Sequence, residues 1–402
     1  MNDADTPIHS SEAVVDFTTC RALVVDDSER NHRIIRAFVE SMGITQIEAA
    51  FDGVEGLEKV AAFSPDLVIL DIKMPGMDGH DFLRRLRALP ENADLPVLVV
   101  TAHDGREHRS AVFLEGATDF VSKPINGVEF VARAGVHLRN RLLMREQTLF
   151  RQRVSEELAM ASRMQQELLP SAEILERAQN ELGIGIEHHF EPSTELGGDL
   201  WGVRTLGDRR AAFYMVDFSG HGVAAALNTV RLHTLVDLVD AQTATEPARV
   251  LMHLNTALGG LLPRGQYATM LYGVLDIAEG SFTYSSAAAP DLITGDAKAS
   301  SIERHAWNSL PLGIDPGARY ETRSLNVAAG HFLFFHSDAL SEMPSADGDV
   351  LEEEGVLKLV RQHGALIADG ESPLGALVQE FRGDSPVDLD DDLTLLWLNV
   401  LG

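Results

Sequence analysis

From residue 21 to about residue 139 the chain repeats one pattern, a short continuous apolar run followed by a helix-length stretch with one apolar face. The sharpest run is Leu67-Val68-Ile69-Leu70, which ends in Asp71 and gives way to Met74-Pro75-Gly76. An apolar run this short, stopped by a carboxylate and then by turn residues, reads as a strand buried on both faces. Strands of that kind belong to parallel sheets covered by helices, and ligands gather at their C-terminal edge. The pattern predicts strands at 22–25, 46–50, 66–70, 95–100 and 118–121. It predicts helices at 28–42, with Ser28 as N-cap, at 53–63, 79–89 and 106–115, and from Gly127 onward. Five strands alternating with five helices make a five-stranded parallel sheet with helices on both faces.

Such a sheet would bring five polar side chains to one edge. Asp26 and Asp27 follow the first strand, Asp71 ends the third, Thr101 ends the fourth and Lys123 follows the fifth. Three crowded carboxylates repel one another unless a cation lies among them, and hard oxygen donors favour Mg²⁺. A carboxylate there can attack a phosphoryl group once charge on the transferred oxygens is neutralised, which the cation and the Lys123 ammonium can do. The Thr101 hydroxyl can donate to a bound phosphoryl oxygen. Taken singly, each residue reads as a polar group solvating a sheet edge. The five in register point to a phosphate acceptor.

These residues resemble the receiver domain of two-component response regulators over about residues 21 to 140. The likeness is carried by Val24-Val25-Asp26-Asp27, the segment 65–79, Val99-Val100-Thr101-Ala102 and Lys123-Pro124. The resemblance implies a flavodoxin-like fold and Asp71 as phosphoacceptor, served by a cognate sensor histidine kinase. It implies Mg²⁺ held by Asp26, Asp27, Asp71 and the Lys73 backbone carbonyl, with Thr101 and Lys123 touching the phosphoryl group. Phe120, three residues before Lys123, falls at the family's switch aromatic, and it also reads as plain core.

From residue 136 to 169 there is no Gly or Pro, which predicts one long helix ended by Pro170. Val154, Leu158, Ala161, Gln165 and Leu168 follow a four-three spacing, with Phe150 one step upstream. That is a short, imperfect heptad seam, so a dimeric coiled coil stands beside a single helix packed on its own domains. Beyond Pro170 strands are predicted at 184–190, 211–217, 268–276, 282–286, 331–337 and 393–400, and helices at 222–239, 247–258, 351–363 and 373–381. Strands grouped apart from helices indicate an α+β domain, a β-sandwich flanked by helices.

That second half places aspartates at strand ends. Gly197-Gly198-Asp199 comes first, then Asp217-Phe218-Ser219-Gly220-His221-Gly222, then Ser337-Asp338, and last Asp390-Asp391-Asp392-Leu393-Thr394. Paired glycines allow close backbone approach. Carboxylates that meet in space can hold two Mg²⁺ or Mn²⁺ ions, which activate a water and clamp phosphoryl oxygens. Acids capping turns and helix starts are the plainer reading of any one of them.

Their order resembles the SpoIIE-type branch of metal-dependent serine/threonine protein phosphatases, from about Leu158 to the C-terminus. Met164-Gln165-Gln166-Glu167-Leu168-Leu169-Pro170, the segment 267–273, Pro311-Leu312-Gly313 and Asp391-Asp392-Leu393-Thr394 carry the likeness. It implies Asp199, Asp217, the Phe218 carbonyl, Asp338 and Asp391 as ligands of two Mn²⁺ or Mg²⁺. His221 reads either as a proton donor or as a loop-ordering residue. Three positions depart from the pattern: Gly202 stands where a further Asp is common, Ala339 follows Asp338 in place of Gly, and Ala287-Ala288-Ala289-Pro290 replaces a segment with Gly-His before Pro.

The expected layout is a flexible tail at 1–19, a receiver domain at 20–139, a helical linker at 140–170 and a phosphatase domain at 171–402. With 33 Lys and Arg against 61 Asp and Glu, the net charge of −28 disfavours nucleic acid or anionic membrane as a partner. The polar, acidic N-terminus is unlike a signal peptide, and no apolar stretch is long enough to span a membrane, so a cytoplasmic protein is expected. The single cysteine, Cys20, excludes an internal disulfide and reads as a small residue near a strand start. The combined reading is a response regulator whose output is a protein phosphatase, acting on a phosphorylated anti-sigma factor antagonist, with homodimerisation through the linker helix. A non-catalytic adaptor with a degenerate phosphatase domain is the rival, and a constitutive phosphatase whose receiver serves only dimerisation is a third reading.

Overall fold

In the computed structural model of the chain, the described residues are 16–102, 106–220, 222–263, 265–296, 301–344, 348, 350–383 and 389–401. They divide into two units, Met1–Val154 and Ser155–Gly402. Most of the expected tail, residues 1–15, lies outside the described residues. At its end a turn forms, in which the Cys20 N–H donates to the Phe17 carbonyl (3.0 Å) and the Thr18 N–H to the Asp16 carboxylate (2.9 Å).

The first unit alternates as the sequence predicts. Its strands are β1 (Arg21–Val25), β2 (Gln46–Ala50), β3 (Leu67–Asp71), β4 (Val97–Thr101) and β5 (Asp119–Ser122). They form a parallel sheet in the order β2-β1-β3-β4-β5. Helices α1 (Glu29–Ser41), α2 (Gly53–Phe63), α3 (Gly79–Arg87), α4 (Arg106–Leu114) and the start of α5 (Gly127–Gln166) connect and cover it. The first three start on side-chain caps that satisfy orphan N–H groups: Ser28 for α1, Asp52 for α2 and Asp78 for α3. β3 and β4 are buried at every position, which explains their unbroken apolar runs. Leu23, Val68, Leu70 and Phe82 pack on one face of the sheet, and Val24, Ile69, Val121 and Phe130 on the other. Each such side chain contributes roughly 1.5–3 kcal/mol on leaving water.

The second unit begins with α6 (Ala172–Leu182), capped by Ser171 and ended by Gly183 in the left-handed region. Two antiparallel five-stranded sheets follow. One orders β13 (Arg323–Asn326), β10 (Ser281–Ala287), β9 (Ala268–Asp276), β8 (Arg210–Phe218) and β7 (Asp199–Gly207). The other orders β12 (Ile302–His305), β11 (Leu292–Asp296), β14 (His331–His336), β15 (Leu393–Val400) and β6 (Ile184–Glu191). Trp201, Phe213, Phe282, Phe335 and Leu396 fill the space between the sheets. Helices α7 (Val223–Asp237) and α8 (Pro247–Leu258) cover the outer face of the first sheet. Helices α9 (Ala339–Glu342), α10 (Glu352–Gly364) and α11 (Pro373–Arg382) cover that of the second. The expected β-sandwich flanked by helices is present.

Four strands and two helices, α6 and α9, went unpredicted. β7 is interrupted in sequence by Gly202 and Arg204, and β11, β12 and β13 are short and partly exposed, so none shows an apolar run. The helix expected from Gly127 and the long helix expected over 136–169 are one, Gly127–Gln166, and its residues from Ser155 onward belong to the second unit. The predicted seam is only partly available. Gln165 is 6% exposed and Leu168 packs on the second unit's core, so the seam's last two positions are occupied within the chain itself.

The β10–β11 turn holds Ala288 at φ +55°. A side chain in that region costs about 1 kcal/mol, and glycine avoids the cost. The Ser309 hydroxyl accepts the Ala288 N–H (2.8 Å) and the Ser286 hydroxyl accepts the Ala289 N–H (3.2 Å), so the turn keeps its shape. Ala288→Gly is therefore expected to stabilise the protein by about 0.5–1 kcal/mol, read as a higher midpoint in denaturant unfolding at unchanged slope. A lower midpoint would show that the turn is not strained.

Candidate functional sites

In the first unit, parallel register brings Asp26, Asp71 and Thr101 to one sheet edge, all buried, with Asp27 exposed beside them. Asp26, Asp27 and Asp71 each present a carboxylate oxygen within 4.8 Å of the others. The Lys123 ammonium reaches in, 2.9 Å from Asp71 Oδ2 and 3.3 Å from Asp26 Oδ2. Asp26 is fixed by the Ser28 N–H and by Asn31 Nδ2, each at 2.9 Å, while His32 Nε2 meets its backbone carbonyl at 2.7 Å. Asp71 Oδ1 accepts the Ile72 N–H at 2.9 Å, which leaves Oδ2 toward Lys123. Burial raises the Asp71 pKa, with Lys123 opposing and Asp26 adding to the rise. Burial pulls Lys123 down, but its bonds to Asp71 and Asp26 prevail and its pKa is raised. One ammonium faces three carboxylates, so the oxygen donors fit a divalent hard cation.

Lys73 is exposed, two residues past Asp71. Phe120 is half-buried, with the Phe113 ring at 5.8 Å edge-on and the Arg133 guanidinium 5.8 Å from its centroid. Its neighbour Asp119 binds Arg133 at 2.8 Å and His137 at 3.1 Å, both on α5.

In the second unit, Asp199 opens β7 and Asp217 lies directly across from it near the end of β8. Asp338 follows β14, and Asp391 stands two residues before β15. Hydrogen bonds join these ends. Thr394 Oγ1 donates to Asp199 Oδ2 (2.5 Å), and the Ser337 hydroxyl donates to the Asp392 carbonyl (2.8 Å) while accepting the Thr394 N–H (2.9 Å). Asp392, which the sequence reading passed over as a ligand candidate, is the organiser. Its buried carboxylate accepts the Ser193 N–H (2.7 Å), the Ser193 hydroxyl (3.0 Å), the Gly198 N–H (2.5 Å) and the Asp199 N–H (3.3 Å). A side chain at Gly198 would meet the Phe218 carbonyl at 2.8 Å, so close backbone approach is what that glycine permits.

Gln165, predicted as a seam residue, is instead bonded to this loop. Its amide donates to the Gly197 carbonyl (2.7 Å) and to Thr229 Oγ1 (3.1 Å), and its oxygen accepts the Gly197 N–H (3.2 Å). The Gly202 departure also has a local cause. A Cβ there would lie 2.4 Å from the Tyr214 ring, which covers the position where a further carboxylate would stand. Ala289 and Pro290 line a cavity of about 20 Å³ together with Asp217, Thr269, His336 and Asp338. His221 lies outside the described residues.

The carboxylates act on one another. Burial, then Asp217 and Asp392, push Asp199 well above the usual carboxylate range. Burial, Asp338, Asp391 and Asp392 raise Asp217 to about 7. Burial, Asp391 and Glu342 raise Asp338 to about 6. This all-oxygen set would be stabilised by bound divalent cations. Among the described residues its oxygens do not reach the spacing of the first unit's cluster.

Comparison with known proteins follows the same division. Residues 22–134 match the profile of the response regulator receiver domain, and residues 207–401 that of stage II sporulation protein E (SpoIIE). The chain is 38% identical over 128 residues to the response regulator PleD of Caulobacter vibrioides, covering 32% of this chain and 28% of PleD. It is 41% identical over 119 residues to the response regulator MprA of Mycobacterium ulcerans, covering 30% of this chain and 50% of MprA. The chain thus spans half or less of the length of these curated relatives. In fold it is similar to the SiaA-PP2C domain of Pseudomonas aeruginosa, with a TM-score of 0.53 at 20% identity, covering 62% of this chain and 98% of that domain.

The raised pKa values carry a stability prediction. An acid whose pKa is higher in the folded state binds its proton more tightly there, so the stability it confers is present at low pH and lost as pH rises through the folded value. For Asp338 and Asp217 that loss runs from the unfolded value, near 3.8, up to about 6 and about 7. In chelator-treated protein, Asp217→Asn is expected to raise the melting temperature by a few degrees at pH 8 and by less at pH 5. An equal or lower melting temperature at pH 8 would show that the carboxylates do not repel as described.

Proposed function

The chain carries a response regulator receiver domain and, after it, a SpoIIE-type phosphatase domain of PP2C fold, and from this premise we propose a response regulator whose output is dephosphorylation of a protein. The observation that carries the output is the set of mutually raised carboxylates at the joined ends of β7, β8, β14 and β15. Asp199, Asp217, the Phe218 carbonyl, Asp338 and Asp391 would hold two Mn²⁺ or Mg²⁺. Those ions supply positive charge that activates water and stabilises the phosphoryl transition state. Asp392 and Thr394 keep Asp199 in place, and Gln165 holds the glycine loop in front of it. The substrate is a phosphoserine or phosphothreonine protein, which the resemblance makes an antagonist of an anti-sigma factor.

The input is phosphoryl transfer from a sensor histidine kinase. Oδ2 of Asp71, the oxygen that faces Lys123, bonds to phosphorus as the phosphorus–nitrogen bond of the donor breaks, and the proton stays with the histidine. Asp26, Asp27, Asp71 and the Lys73 carbonyl would hold Mg²⁺ there, while Lys123 and Thr101 meet the phosphoryl oxygens. Phe120, half-buried beside Arg133, is the aromatic that would report the change. The described residues contain no helix long and apolar enough to cross a membrane, in keeping with a cytoplasmic protein. Homodimerisation through α5 belongs to the same reading, with a seam reduced to Phe150, Val154, Leu158 and Ala161.

Two assays test this. Hydrolysis of a phosphoserine protein is expected to require Mn²⁺ or Mg²⁺ and to fall by at least about 100-fold in Asp217→Asn. Full turnover in that variant would remove the metal assignment, and no turnover in the native protein would favour the adaptor. Separately, acetyl phosphate is expected to change the native rate and to leave the Asp71→Ala rate unchanged. If the native protein and Asp71→Ala have equal rates with and without donor, the phosphatase is constitutive.

A further inference from the structure

α7 begins six residues past Asp217. One of its faces is buried on the core, yet Val223, Leu227 and Val230 are 54%, 56% and 41% exposed. Their spacing of four and then three residues aligns them in one stripe. The helix's first charged residue is Arg231, whose guanidinium donates to the Asn228 side chain (3.0 Å). A helix face that serves only to meet water carries polar and charged residues, and this one does not.

The stripe adjoins two loops beside the carboxylates. Asn228 Nδ2 donates to Gln266 Oε1 (3.0 Å), and the next residue, Tyr267, is exposed. The Ser219 N–H donates to the Tyr267 carbonyl and the Tyr267 N–H to Ser219 Oγ, both at 3.0 Å. Asp217 faces Thr269 in register, so Tyr267 stands about 7 Å along extended chain from the level of that carboxylate. Leu261 and Ile314, both exposed, flank it. Their neighbours Leu262 and Gly313 meet closely, since a Cβ at Gly313 would lie 2.6 Å from Leu262 Cδ1. Single exposed apolar residues are ordinary, but a group of them beside one site marks an interaction surface.

The site selects the occupant. A phosphoserine holds its phosphorus close to its own backbone. A protein that brings one to Asp199, Asp217, Asp338 and Asp391 must therefore lay the neighbouring residues on the surface around them. A second copy seated there would stand over the same carboxylates and shut the substrate out. Recognition through flanking acidic residues would need Arg or Lys along the stripe, and the stripe offers apolar side chains instead.

We propose, resting on the phosphatase reading of the carboxylate site, that Val223, Leu227, Val230 and Tyr267 dock the phosphoprotein substrate and select one with apolar residues beside its phosphoserine. Two phosphoserine peptides of equal length and charge, one with Leu and Val beside the phosphoserine and one with Gln and Gly, are compared with p-nitrophenyl phosphate as substrates of the full chain in Mn²⁺. The apolar peptide is expected to show a KM lower by about 10-fold. Leu227→Gln/Val230→Gln, with both changes at exposed positions, is expected to erase that difference through KM, while kcat and the hydrolysis of p-nitrophenyl phosphate stay as in the native protein. Equal KM for the two peptides in the native protein, or a preference that survives in the variant, would overturn the docking surface and leave the phosphatase standing. A shifted elution volume in the variant with its peptide KM unchanged would overturn it in favour of a second copy. If the native protein hydrolyses none of the three substrates, the phosphatase reading falls and takes the docking surface with it.

Discussion

The buried Asp392 carboxylate is the interaction on which the second unit's site depends. It closes the gap between the end of one sheet and the loop that begins the other, accepting three backbone N–H groups and one hydroxyl. A charge so deeply buried is tolerable only when hydrogen bonds satisfy it this fully, and each bond to a charged acceptor contributes roughly 1.5–3 kcal/mol. At Asp199, Asp217 and Asp338 the hydrogen bonds do not offset burial and mutual repulsion, which dominate them. Asp392 serves the architecture, and Asp199, Asp217 and Asp338 are left to burial and to one another's charge. The first unit solves the same problem with Asp26, which is gripped by Ser28 and Asn31 while Asp71 keeps one oxygen toward Lys123.

Both sites sit where strands end, and the reason is the same in each. A strand interior buried on both faces cannot take a charge, whereas its last residue borders loop backbone that offers donors. The two units differ in how strand ends are gathered. Parallel β1, β3 and β4 deliver theirs to one edge directly. The antiparallel sandwich instead assembles the site from neighbouring strands of two sheets, and it needs the Ser337 and Thr394 hydroxyls to stitch the sheets at that end.

How legible each part was in the sequence follows from this. Unbroken apolar runs mark β3 and β4, and the residue after each run is the functional one, so the first site could be read almost completely. In the second unit Asp217 and Asp338 were readable for the same reason. Asp392 was not, because Asp390-Asp391-Asp392 offers three equivalent acids and only the fold decides which one turns inward. β12 and β13 escaped notice because edge strands with one wet face carry few apolar residues, and β11, inside β12, because its apolar run is only Leu292-Ile293. Gln165 was assigned by spacing to a helix–helix seam. Its amide is instead the partner of the Gly197 backbone, and a heptad count cannot distinguish a polar seam position from a polar contact to a loop.

That contact bears on how an input at Asp71 could be felt by the phosphatase carboxylates at all. A phosphoryl group can shift the second site only if it changes the relative free energy of two arrangements there. Gln165 belongs to α5, the helix that starts beside Asp119 and Phe120 in sequence and ends on the loop carrying Asp199. Its three hydrogen bonds, at roughly 1 kcal/mol each, amount to about 3 kcal/mol, or about 100-fold in an equilibrium. Losing them would free the Gly197 backbone, while Asp392 would still hold Gly198 and Asp199 by their N–H groups and the Phe218 N–H would still hold the Gly198 carbonyl. The loop is therefore held by its own domain at Gly198 and Asp199 and by the helix at Gly197, and the contact at Gly197 is the one through which α5 can act on it.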